Sequence, residues 1–109
     1  MAIPVGKTDK VEMFLDYADD RMEVYVNENS VGFINLGDEG KSYDLGAHFR
    51  PGMNTVRVHG IDTQPTHRAL KFHVTVAGKK VWDEELRQPS TGPYPNHWYD
   101  KIDQFEVAR

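Results

Sequence analysis

Apolar and polar residues alternate along this chain in short runs separated by turn residues, with almost no helical spacing. Val11, Met13, Leu15 and Tyr17 alternate with Glu12, Phe14 and Asp16, which predicts a strand. Phe14 on the polar side implies cover on both faces. Ala18-Asp19-Asp20 reads as a turn. Met22, Val24 and Val26 then alternate with Glu23, Tyr25 and Asn27. A two-residue turn at Glu28-Asn29 would set Val26 opposite Val31, Tyr25 opposite Gly32 and Val24 opposite Phe33. That register gathers Met22, Val24, Val26, Val31 and Phe33 on one face and lays Tyr25 over Gly32. A slip of one residue would turn the apolar set to solvent.

Residues 1–9, broken by Pro4 and Gly6, read as an extended leader. Gly37 to Lys41 is a loop, and Asp44 to Phe49 is a strand end or a single helical turn. Arg50-Pro51-Gly52-Met53 is a turn, because Pro fixes one central position and Gly supplies positive φ at the next. After it, Val56 and Val58 point inward and Thr55, Arg57 and His59 outward. Residues 61–68 form a polar loop. Leu70, Phe72, Val74 and Val76 alternate with Lys71, His73 and Thr75, and Ala77-Gly78-Lys79 turns this strand into Val81 to Leu86. Residues 87–97 hold three of the six prolines, so they form the longest loop. The closing strand runs from Trp98 through Val107, and the spacing of Ile102 and Phe105 predicts a bulge. There is no internal repeat. The expectation is one all-β domain over residues 1–109, an antiparallel β-sandwich of jelly-roll type. Val24, Val26, Val56, Val58, Phe72 and Val74 should meet between its layers.

Several of these segments together resemble a known superfamily. They are Asp19-Asp20 before Val24-Tyr25-Val26-Asn27, then Tyr43-Asp44-Leu45, then Pro51-Gly52-Met53-Asn54-Thr55-Val56-Arg57-Val58, then Ala77-Gly78-Lys79-Lys80-Val81-Trp82. Over roughly residues 17–84 the chain is similar to the galactose-binding-like jelly-roll superfamily, which includes carbohydrate-binding modules and accessory domains of glycosidases. Glu28 departs from that pattern, which has Gly at its position. The resemblance implies a noncatalytic binding or scaffolding role and carries over no ligand set.

Composition narrows the function classes. The formal charge is −4 with both signs mixed along the chain, so no nucleic-acid arm or polybasic membrane patch stands out. The chain has no cysteine, which excludes disulfides, thiolate catalysis and cysteine-based zinc sites. With no apolar run at the N-terminus, the default expectation is a cytoplasmic protein. No nucleophile elbow, phosphate loop or His-Glu-X-X-His motif occurs, so an enzyme is not expected.

Two surfaces are candidates for ligand binding. One is the aromatic loop carrying Tyr94, Asn96, His97, Trp98 and Tyr99, whose rings could stack on sugar faces while Asn and His bond hydroxyls. Trp98→Ala is then the diagnostic substitution. The structural alternative has Trp98 and Tyr99 plugging the end of the core. The second surface assumes that residues 54–76 form a hairpin with a loop near residue 65. Arg57 would then oppose His73, and His59 would oppose Lys71, giving a cationic face for a carboxylate, phosphate or acidic sugar. No protein metal or cofactor is required. Asp16, Asp19 and Asp20 could hold a structural calcium with Asp38 and Glu39 if their loops meet, although such residues more often cap turns. The expected partner is a carbohydrate or a protein surface, with a homo-oligomer as one form of the latter.

Overall fold

The computed structural model describes residues 2–63 and 67–109. The described residues form nine strands in order: β1 (Ile3–Val5), β2 (Val11–Asp19), β3 (Arg21–Val26), β4 (Asn29–Asn35), β5 (Lys41–Asp44), β6 (Gly52–Asp62), β7 (His67–Val76), β8 (Lys79–Pro89) and β9 (Asn96–Val107). A 3-10 turn, Gly46–His48, precedes the Pro51-Gly52 turn. Two sheets pack face to face, with strand orders β1-β9-β6-β3-β4 and β5-β2-β7-β8. The protein is an all-β sandwich.

Alternation explains the layers. Val24, Val26, Val56, Val58, Phe72 and Val74 are each at most 1% exposed and meet in one core with Met13, Leu15, Met22, Ile34 and Phe105. Each such side chain contributes about 1.5–3 kcal/mol of burial. Part of the stretch read as an extended leader joins a sheet. Ile3, Pro4 and Val5 pair in parallel with Phe105, Glu106 and Val107, and Val5 is buried.

The turn at residues 50–54 is locked by one amide. Asn54 is 1% exposed. Its Oδ1 accepts from Asn27 Nδ2 and from the backbone N–H of Arg50, at 2.8 and 3.0 Å. Its Nδ2 donates to the carbonyls of Arg50 and Gly52, at 2.8 and 3.1 Å. Every hydrogen-bonding site of the amide is thus used. Gly52 has φ +89°, as the turn requires.

Three register expectations are corrected. The β3–β4 turn is Asn27-Glu28, both at positive φ, so Val26 pairs with Asn29 and Tyr25 with Ser30. A bulge follows, and Val24 pairs with Gly32. Ile34 therefore points inward, Val31 is half-buried and Phe33 is 39% exposed. The ring covering Gly32 is Tyr43 of β5, not Tyr25: a Cβ on Gly32 would lie 2.5 Å from it. The Tyr43 hydroxyl bonds both the N–H and the carbonyl of Phe33, at 3.3 and 3.1 Å. On β9, pairing runs unbroken from Tyr99 to Val107, and the irregularity lies opposite Gly60 and Asp62. Ile102 is simply an outward residue, 60% exposed.

The third correction moves a candidate surface. β6 and β7 lie in different sheets and do not form a hairpin. The expected centre of that hairpin, near residue 65, lies outside the described residues. Arg57 pairs with Tyr25 and Ile102, and His59 with Glu23 and Asp100. Lys71 pairs with Tyr17 and Glu85, and His73 with Phe14 and Asp83. The four-cation face does not form, because the two halves occupy the outer faces of opposite sheets.

Candidate functional site

The outer face of the five-stranded sheet carries a row of partnered polar side chains. Arg57 on β6 donates from Nε and Nη2 to the two carboxylate oxygens of Asp100 on β9, each at 2.7 Å. This fork geometry is the strong form of an ion pair, and the guanidinium holds the Asp100 carboxyl below its usual pKa. The Arg57 guanidinium carbon lies 5.8 Å from the Tyr25 ring centre. Beside it, Arg21 Nε and the Tyr25 hydroxyl donate to the two oxygens of Glu23, each at 2.9 Å. Burial alone would raise the Glu23 pKa, but these two hydrogen bonds outweigh it and hold the carboxyl below its usual range.

His59 is the centre of this row. Its side chain is only 13% exposed, with Nδ1 3.7 Å from Glu23. The cover comes from His97, whose Nδ1 lies 2.9 Å from His59 Nε2, with ring planes within 13° of each other. One nitrogen must donate and the other accept, so the contact requires at least one neutral ring. Burial first, then the neighbouring His97, lowers the pKa of His59, and Arg57 adds to this against the pull of Asp100 and Glu23.

The bulge on β9 explains why His97 reaches this face. Tyr99 turns inward and is 3% exposed. Trp98 also turns inward, with its indole nitrogen against Gly60 and the Arg68 guanidinium 5.6 Å from its ring centre. That nitrogen is buried and has no hydrogen-bond partner among the described residues. The Tyr99 hydroxyl donates to Glu84 at 3.0 Å, and burial, then that carboxylate, pushes its pKa far up. Tyr99 and Trp98 therefore close the end of the core, the structural alternative drawn from the sequence. Trp98→Ala is a packing change here and not a clean probe of binding.

The rest of the loop is held by its own polar groups. The Ser90 hydroxyl donates to Asp62, which is fully buried, and lies 2.9 Å from the Tyr94 hydroxyl. Asn96 Nδ2 donates to the carbonyl of Thr91 at 2.8 Å. Tyr94 is 37% exposed. On the opposite sheet, His73 stacks on Phe14 with ring centres 4.6 Å apart, and Lys71 lies 3.5 Å from Glu85.

Three of the five carboxylates considered for calcium contact protein groups. Asp16 faces His73 at 3.8 Å, Asp38 accepts the Asn35 N–H at 2.9 Å, and Asp20 accepts from Thr63 N and Oγ1 at 2.7 Å. Among the described residues, no group of three or more His, Asp or Glu side chains could hold a metal ion. Partial burial first, and the neighbouring Asp20, raise the pKa of Asp19.

The sequence reading named Arg57, His59 and His97 on two separate surfaces, and the structure joins them into one. It missed Glu23 and Tyr25, whose strand alternation signals only that they point outward, and Asp100, which lies in a closing strand without strict alternation. Compared with protein families, curated proteins and solved structures, the chain has no match among any of the three.

Proposed function

We propose that the protein is a noncatalytic binding domain that takes carbohydrate on the outer face of its five-stranded sheet. The observation carrying this reading is the meeting of His97 with His59 beside the bidentate Arg57–Asp100 pair. A sugar presents donors and acceptors on adjacent carbons, and a guanidinium–carboxylate fork next to a neutral imidazole offers both kinds of partner. Charge on this face is balanced, Arg21 against Glu23 and Arg57 against Asp100. That balance favours a neutral polyhydroxyl ligand over the acidic one suggested by the four-cation arrangement. The resemblance of residues 17–84 to galactose-binding-like jelly rolls points the same way. The Tyr25 ring extends the proposed contact surface; Tyr94 and Asn96, bonded to Ser90 and Thr91, and the buried Tyr99 are left out of it. Glycan-array hits should disappear in an Arg57→Ala/Asp100→Ala double variant that keeps the wild-type circular dichroism spectrum. An array with no hits on folded protein overturns the reading.

A second reading rests on apolar residues of the same face. Met53 and Phe33 are each 39% exposed and Ile102 is 60% exposed, which suits a protein contact. A stable symmetric oligomer in light scattering that Ile102→Asp dissociates would favour it.

A further inference from the structure

One end of the sandwich holds a cleft of about 500 Å³, well away from the His59–His97 row. Val5, Val11, Phe49 and Val107 give it an apolar lining, and Lys7, Arg50 and Arg109 line it as well. Asp9 is the one carboxylate side chain among its lining residues, and its Oδ2 already accepts the backbone N–H of Gly6 at 2.7 Å. In a chain whose net charge is −4, three cations to one engaged carboxylate is a local reversal of sign. The volume lies within the usual span for small-molecule sites, roughly 300–1,000 Å³.

We infer that this cleft binds a small amphiphilic anion, a hydrocarbon body bearing one carboxylate or sulfonate group. The body displaces water from the half-buried Phe49 and Val107, over a floor of buried Val5 and Val11, and this non-directional burial supplies affinity. The anionic head is held by Lys7 and Arg50, whose charges select against neutral molecules of the same shape. The packing beneath is firm: Phe49 lies 5.6 Å, centre to centre, from the fully buried Phe105, and the backbone N–H of Arg50 is fixed by Asn54. The site is thus formed before the ligand arrives, which limits the ordering cost of binding. The two charged side chains are exposed at its mouth, where an anion can reach them from solvent.

The test is an amide-resolved NMR titration of the intact chain with octanoate and, separately, with neutral octanamide. Octanoate should shift the signals of Val5, Gly6, Val11, Phe49 and Val107 in a saturable way. Octanamide should bind the same residues about 10-fold more weakly. A Lys7→Gln/Arg50→Gln variant, altered only at exposed side chains, should lose that preference and bind both compounds equally. Equal binding of both compounds to the wild-type protein overturns the inference. So do shifts confined to other residues, or the absence of saturable shifts with either compound. Signals of His59, His97 and Asp100 report the carbohydrate face separately, so failure of one proposal leaves the other standing.

Discussion

The β3–β4 and β7–β8 hairpins lie in different sheets and follow one plan. Each has a two-residue turn with both residues at positive φ, Asn27-Glu28 in one and Ala77-Gly78 in the other. Each pairs Val-X-Val into its turn and carries an extra residue three positions past it, Val31 and Val81, at a register shift. In each, the first turn N–H reaches a neighbouring backbone, Asn27 to Thr55 of β6 at 2.9 Å and Ala77 to Lys10, just before β2, at 2.8 Å. The difference lies in what holds the turn. Asn27 is bonded through its side chain to the buried Asn54, while Ala77 has only backbone. The favoured pair for such a turn is Asn-Gly, and each hairpin has one half of it. The lesson is that a less favourable second residue is tolerated where a buried side-chain lock fixes the first.

The sharpest test removes the lock. Asn54→Ala should cost about 3 kcal/mol, because it removes the side-chain partner of backbone groups at Arg50 and Gly52 and of Asn27 Nδ2. Chemical denaturation reads this directly, and a loss under about 1 kcal/mol would mean that the two turns are held equally. The next effect concerns the residue after each bulge, Gly32 in one hairpin and Trp82 in the other. Gly32→Ala drives a methyl into the Tyr43 ring and should cost about 2 kcal/mol. A variant as stable as wild type would show that the ring moves freely. The smallest effects are gains: Glu28→Gly should stabilise by about 1 kcal/mol and Ala77→Asn by about half that, by relieving positive φ. The two changes are far apart and should add within error in thermal unfolding. If neither raises the melting temperature, the turn residues are not the weak point of either hairpin.

The hairpins also show what a sequence displays. In β7–β8 the turn was readable because Gly78 marks it and strict alternation runs into it on one side. In β3–β4 the same geometry was hidden, because Glu28 replaces the glycine signal and Asn27 looked like the end of a strand. The misplaced turn carried Phe33 to the wrong face and hid Ile34. Core residues such as Val56, Val58 and Phe72 were legible because period-two alternation is local. The sheet to which each strand belongs was not legible. Nothing local tells β6 to pair with β3 and β9 in place of β7, so Arg57 and His59 were given the wrong neighbours. His97 could be named as a candidate, but its partner could not, since 38 residues separate it from His59.

Tyr43 has a consequence beyond filling the space over Gly32. β4 is the outermost strand of its sheet, and an outermost strand offers unpaired amides to any extended chain that passes. At Phe33 both the donor and the acceptor are already occupied by one phenol hydroxyl reaching across from the other sheet, and Lys41 Nζ adds a second bond to that carbonyl at 3.2 Å. A single aromatic side chain thus acts as a stopper against runaway association. The middle of the seven-residue margin strand has its outward backbone groups engaged within the same molecule.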